Sequence, residues 1–302
     1  MKKQSMSLLM ILAAFFWAGA FIAGKYSVGT FTPAMLTFLR FGFASIIIFV
    51  ILIVRQPEDW KLKKDELPPV ILLGLVGMVG YHMLFFEALK YTTATNASMV
   101  VALNPMVTTI IAAVLTGESL SIKRMGLILI AFAGVVLTLT NWDLGMITRM
   151  EMNIGDLIMI LAVLCWAYYS VLVKKHMVKF TPLKLTTYTF VCCTLFLTPF
   201  VVMGSENLVA VKEAPLGAWL AVLYMAVFPT VVGYLIQQMS IKKVGASKTN
   251  IFINLVPVFS IVLAFVILNE VASIQKMLSS GMIILAVFLY SRENIRVEGK
   301  NG

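Results

Sequence analysis

Charge is what this chain has least of. Only 13% of its residues are Asp, Glu, Lys or Arg, against about 25% in soluble domains, and that deficit excludes an ordinary soluble globule. Histidine is limited to His82 and His176, and cysteine to Cys165, Cys192 and Cys193. The two histidines lie far apart with no HExxH pattern, and the cysteines, all inside apolar runs, form neither a metal-ligand spacing nor a disulfide framework. No GxxxxGK[ST] phosphate loop is present, which argues against ATP-driven pumping by this chain alone. No nucleophile–base pair or acidic cluster stands out within the apolar runs, so an enzyme is not expected, nor a cofactor or a metal. A channel or sensor with a small-molecule pocket is the alternative. It is disfavoured because no filter-like loop or acidic ring is visible and the longest polar loop, about residues 55–68, is short.

What the chain does have is 60% hydrophobic residues, arranged in runs. A helix needs about 20 mostly apolar residues to cross a bilayer. Ten stretches meet or approach that, at about 7–26, 33–54, 69–89, 93–116, 123–140, 155–174, 182–203, 216–239, 245–268 and 274–291. They are continuous rather than alternating, which predicts helices and not an outer-membrane barrel. Lys2 and Lys3 precede the first run, but it exceeds a signal-peptide core and more runs follow, so it reads as a retained first helix. The net charge of +10 comes from where lysine and arginine sit: eighteen of the 24 fall at one set of run ends, five at the other, and Arg40 lies within a run. The positive-inside rule then places both termini in the cytoplasm, as an even number of spans requires. The basic balance is therefore a membrane signature, and no nucleic-acid partner is expected.

The chain repeats itself. Trp17 and Trp166 are 149 positions apart, as are the Thr-Pro pairs at 32–33 and 181–182. Gly80-Tyr81 returns as Gly233-Tyr234 at 153, and Pro105/Pro257 and Glu118/Glu270 recur at 152. These matches divide the chain into halves, 1–146 and 147–302, of five runs each. Five is odd, so the second half enters the membrane in the opposite sense. The expected fold is an all-α integral membrane protein of ten transmembrane helices in two inverted five-helix repeats, an arrangement shared by many secondary transporters.

These residues resemble a known family. The Trp-Ala pairs at 17–18 and 166–167, FLRF at 38–41, ALNPMVTTIIAAVLTGESLS at 102–121 and its second copy NLVPVFSIVLAFVILNEVAS at 254–273 are similar to the ten-helix EamA-type branch of the drug/metabolite transporter superfamily. The resemblance covers nearly the whole chain. It implies a multi-pass protein of the cell membrane that carries small amphipathic solutes, such as amino acids or related compounds, commonly outward. Two departures mark the halves as unequal: Arg40 is matched by Thr189, and Gly134 by Ala286.

Arg40 is the sharpest single residue, because a charge at bilayer depth costs at least about 2.5–3.5 kcal/mol on insertion scales and calls for a polar interior. Two readings stand beside each other: pairing with Glu87 on the adjacent run, or reception of an anionic group of a solute, with Glu87 or His82 cycling a proton. Trp17, Tyr81, Trp166, Tyr169, Tyr234, Gln237, Asn250 and Asn254 are the other candidates for the pathway, offering aromatic walls with few polar groups. Pro105 and Pro257 are expected mid-helix, as kinks or hinges. Gly74, Gly77 and Gly80 mark a packing seam. Glu118 and Glu270 are expected to face the N-terminus of the helix that follows each. The expected partners are a small-molecule solute, the lipid bilayer and a coupling proton; the oligomeric state is left open.

Overall fold

The computed structural model describes residues 3–116, 122–148, 153–176, 179–244, 251–271 and 273–301, and every regular element among them is helical. Among those residues, seven apolar helical stretches are long enough to cross a membrane: Met6–Ser27, Pro33–Arg55, Lys64–Tyr91, Ala94–Leu115, Ile154–Val173, Pro182–Met203 and Leu216–Gln237. Three shorter apolar helices, Met125–Leu139, Val256–Leu268 and Ile274–Tyr290, accompany them. With no water in the hydrocarbon to satisfy backbone groups, helices close their own hydrogen bonds, and a multi-pass helical membrane protein results.

In chain order the α-helices are α1 (Lys3–Ser27), α2 (Pro33–Arg55), α3 (Leu67–Leu73), α4 (Tyr81–Tyr91), α5 (Ala94–Val101), α6 (Asn104–Thr116), α7 (Ile122–Leu139), α8 (Gly145–Thr148), α9 (Ile154–His176), α10 (Pro182–Met203), α11 (Ser205–Glu213), α12 (Leu216–Met225), α13 (Gly233–Val244), α14 (Val256–Leu268) and α15 (Ile274–Asn301). The Thr-Pro pairs start helices for a local reason. Thr32 and Thr181 each accept a hydrogen bond from the backbone N–H three residues on, at 3.2 Å, and the proline sits where no N–H is needed. Each threonine hydroxyl also donates across the bundle, Thr32 to Asn207 Oδ1 at 2.8 Å and Thr181 to Gln56 Oε1 at 2.7 Å. Along the packed pair α2 and α10, Ser45 meets Thr194 at 3.4 Å and Phe41 stacks edge-on with Phe190 at 5.0 Å.

Two membrane stretches change winding midway. Gly74–Gly80 between α3 and α4, and Ala226–Val232 between α12 and α13, are π-helical. The N–H groups of Tyr81 and Gly233 reach back five residues, to the Val76 and Phe228 carbonyls. Three glycines in the first stretch and Pro229 in the second weaken the ordinary ladder. The glycines form the expected seam: Gly74 faces Cys192 and the Thr189 carbonyl, Gly77 lies under the Tyr169 ring, and Gly80 approaches Cys165.

Two other stretches change their winding next to a proline. α5 ends at Val101 and α6 starts afresh at Asn104; a 3₁₀ turn, Ile251–Leu255, gives way to α14 at Val256. Pro105 therefore stands inside the Ala94–Leu115 stretch at its interruption, and Pro257 directly after a 3₁₀ turn. Each is the second residue of a new helix, where its missing N–H is one of those that would have no intrahelical partner anyway.

The buried side chains form two large clusters, both built from the two halves of the chain: Phe21, Leu36, Phe86, Met159 and Val222 in one, Phe41, Leu73, Phe190 and Tyr234 in the other. α7 and α15 pack together through Gly134 on Ile283 and Thr138 Oγ1 donating to Ser279 Oγ at 2.7 Å, while Leu129, Phe132, Leu278 and Leu285 project outward, as a lipid-facing surface requires.

Polar contacts gather at the two ends of the bundle. At one end Lys25 donates to the Leu89 and Thr92 carbonyls at 2.8 and 2.7 Å. There Glu270 accepts from the Ala94 and Thr95 N–H groups at 2.9 and 3.2 Å and from the Thr95 hydroxyl at 2.9 Å. Glu270 thus caps α5, in the other half of the chain, and not the helix that follows it, because the start of α5 after Thr93 brings unpaired N–H groups to that end. Glu118 lies outside the described residues. At the other end, Lys184 sits buried between Asp59 and Glu66, 3.0 Å from each.

Candidate functional site

At the centre of the bundle a cavity of about 80 Å³ lies between the halves. α1 contributes Trp17, α2 Arg40, α4 Tyr81, His82 and Phe85, and α6 its first residue, Asn104. From the other half come Trp166 of α9, Tyr234 and Gln237 of α13, and Val256, the first residue of α14. The two π-helical stretches and the two helix breaks therefore deliver residues to one place. Tyr81 and Tyr234 directly or nearly directly follow a π-helical stretch, and Asn104 and Val256 each open a helix.

Arg40 is 4% exposed. Its single hydrogen bond among the described residues runs from Nε to Thr230 Oγ1, 2.7 Å away, and that hydroxyl donates to the Met225 carbonyl at 2.7 Å. The guanidinium lies 5.6 Å from the centre of the Phe41 ring. Among the described residues no acidic side chain lines the cavity. The pairing with Glu87 does not form. Glu87 lies outside the cavity, one turn along α4 from Lys90, whose Nζ is 3.1 Å from its carboxylate at a part-exposed position, because an i,i+3 partner near water is reached at less cost than one at depth.

The aromatic groups interlock. Trp17 Nε1 donates to the Pro229 carbonyl at 3.0 Å, which fixes the indole against the second π-helical stretch. Trp166 has Tyr81 at 4.8 Å, Tyr169 at 5.2 Å and Tyr234 at 5.9 Å between ring centres. His82 Nδ1 donates to the Met78 carbonyl at 3.0 Å, so the proton is on that nitrogen, and the ring is held edge-on between Phe41 and Tyr81. Tyr169 stands behind Trp166, in the notch left by Gly77, and does not border the cavity.

The structure therefore gathers Trp17, Arg40, Tyr81, His82, Trp166, Tyr234 and Gln237 into one lining and leaves Glu87 outside it. Pro105 and Pro257 adjoin it through Asn104 and Val256. Asn250 and the Asn254 side chain lie outside the described residues. Sequence reasoning missed Asn104, which is buried and whose Oδ1 has no hydrogen-bond partner among the described residues; an amide directly before a proline inside an apolar run was the available signal. It also missed Asp156, buried in the first turn of α9, which accepts from the Thr92 hydroxyl and, at 3.4 Å, from Asn96 Nδ2.

Comparison with known proteins agrees with this architecture. The chain is 33% identical to the uncharacterized transporter YyaM of Bacillus subtilis over 96% of this chain and 95% of that one. It is 32% identical to an uncharacterized transporter of Archaeoglobus fulgidus, over 87% and 89%. A probable terminal-alkyne amino-acid exporter of Streptantibioticus cattleyicolor is 23% identical, over 95% and 93%. A solved crystal structure superposes with a TM-score of 0.64 at 20% identity, over 96% of this chain and 98% of that one, a likeness of fold. Residues 4–140 and 153–292 match the EamA-like transporter family. The chain belongs to that family, within the drug/metabolite transporter superfamily, and is a multi-pass membrane transporter.

Proposed function

We propose that this chain is a secondary-active carrier that moves a small amphipathic metabolite, an amino acid or related compound, outward across the cell membrane by alternating access between two inverted five-helix halves. One observation carries the reading: the central cavity is walled by α1, α2, α4 and α6 on one side and by α9, α13 and the start of α14 on the other, so a relative movement of the halves changes which face it opens to.

The inverted repeat itself has several supports. The seven long and three shorter apolar helices fall on the ten apolar runs one for one. The family matches twice, over 4–140 and 153–292. The two π-helical stretches start 152 residues apart, as do α6 and α14. Ser45 and Thr194, and Phe41 and Phe190, are each 149 apart and touch one another; counterparts can meet only where a pseudo-two-fold axis passes. Charge bias then puts both termini in the cytoplasm and the Glu270 end outside, where that carboxylate closes the fourth span. Of the two coupling candidates, His82 borders the cavity, so proton coupling is assigned to it ahead of Glu87.

The test is counterflow of a labelled amino-acid and metabolite panel in proteoliposomes, with and without a proton gradient. A carrier exchanges its solute without net driving force, so saturable, solute-specific counterflow is expected. Flux that never saturates and shows no exchange would point to a channel instead.

A further inference from the structure

We propose that the central cavity selects solutes by a carboxylate, with Arg40 as the group that receives it; this deepens the carrier reading and rests on it. Three observations converge. Arg40 is buried, borders the cavity, and makes one hydrogen bond among the described residues, from Nε, which leaves its two terminal nitrogens for another partner. Among the described residues no aspartate or glutamate lines the cavity, and Glu87, the acidic residue weighed as its partner, is engaged with Lys90. Six aromatic residues, Trp17, Phe21, Tyr81, Phe85, Trp166 and Tyr234, make up much of the remaining wall and suit an apolar or aromatic body.

A buried guanidinium without a counter-ion is costly in a low-dielectric site. A carboxylate cancels that charge and matches the terminal N–H pair of arginine in two parallel hydrogen bonds. Thr230 holds Nε from the other side, so the guanidinium plane is already fixed before a solute arrives. His82 adds no competing positive charge when neutral, and its Nδ1 proton is committed to the Met78 carbonyl. Asn104 places an unpartnered buried Oδ1 on the same lining, and a hydroxyl or ammonium group elsewhere on the solute fills it. An amine without a carboxylate finds a site that is already positive and has no acidic partner among the described residues.

The experiment is ligand-induced thermal stabilisation of the purified full-length chain in detergent. The probes share a skeleton: 3-phenylpropanoate, phenylalanine, 3-phenylpropanamide and 3-phenylpropylamine, with butanoate and butanamide as a smaller pair. The acids and the amino acid are expected to stabilise the protein saturably, and the matched amides and amine to bind about tenfold or more weakly. Arg40→Gln should erase that difference and Arg40→Lys keep part of it. Amide or amine binding as tight as the acid overturns the proposal, as does undiminished acid binding by Arg40→Gln or no shift with any carboxylate. Should the Arg40 variants fail to fold, the wild-type series alone decides, because it varies only the ligand's charge. Counterflow of whichever probe binds separates the two readings. Charge-selective binding without exchange removes the carrier and keeps the site; exchange without charge selectivity does the reverse.

Discussion

A lysine buried in a membrane protein needs its charge cancelled where it stands, and Lys184 achieves this with two carboxylates. Its Nζ lies 3.0 Å from both Asp59 and Glu66, and the side chain is 1% exposed while Glu66 is 6% exposed. Removing Lys184 leaves the Glu66 carboxylate buried and uncompensated, while Asp59, 53% exposed, stays solvated, at a cost of about 1–3 kcal/mol, below that of a fully buried pair. Lys184→Met should therefore lower stability by about that amount, whereas Lys184→Met with Glu66→Leu should recover part of it, since an apolar pair of similar volume avoids the desolvation. Thermal unfolding of the two variants in detergent measures the difference, and equal losses in both would show that Glu66 is not the relevant partner. Single residues differed in how legible they were. Arg40, Trp17 and Trp166 stood out because charge or indole at mid-run has few explanations. Lys184 read as one more cytoplasmic lysine, since its partners are 118 and 125 positions away. The Arg40–Glu87 pairing looked available from adjacency in the sequence, but helix geometry gave Glu87 the nearer Lys90.

At the scale of the element, the features that make the site are those that an apolar run conceals. Hydrophobic content locates a membrane helix but does not report its winding, so neither π-helical stretch was legible, and the breaks before Asn104 and Val256 appeared only as prolines. What the sequence did hold was the Gly74, Gly77, Gly80 spacing, and the structure explains it: a Cβ on Gly77 would come within 2.2 Å of the Tyr169 ring. That ring backs Trp166, which borders the cavity. Gly77→Ala should accordingly force the aromatic stack to move, at an overpacking cost of about 1–3 kcal/mol, and cut counterflow several-fold. Gly126→Ala is the control, because nothing lies within 4 Å of the Cβ it would carry. It also removes a glycine from the interior of α7, so its stability should be unchanged or slightly higher. If both variants behave alike in unfolding and exchange assays, the first π-helical stretch is not a packing platform for the cavity wall.

For the whole molecule, apolar content made the helical stretches legible, but not how the two halves of the chain fit together. A duplicated chain suggests two separate five-helix bundles lying side by side. The structure interleaves them instead. The second π-helical stretch is held by Trp17 and Arg40 from the first half, and the first one packs on Tyr169, Cys165 and Cys192 from the second. Each of the two large apolar clusters draws on both halves. A half expressed alone would expose the faces that the other half covers, and in the first half these include Arg40 and the glycine seam; lipid tails satisfy neither the buried polar groups nor the close backbone contacts. Cutting the chain between residues 146 and 147 should therefore leave each fragment poorly folded when made separately, with background counterflow. Co-expressed fragments should find each other, co-purify and restore exchange, because the contacts that hold the cavity together cross the cut. The measurement is recovery of monodisperse protein and counterflow from the separate and the combined fragments. A fragment that is stable and well folded alone would mean that the core within each half suffices and that the interlocked packing is a consequence of association rather than a requirement for it.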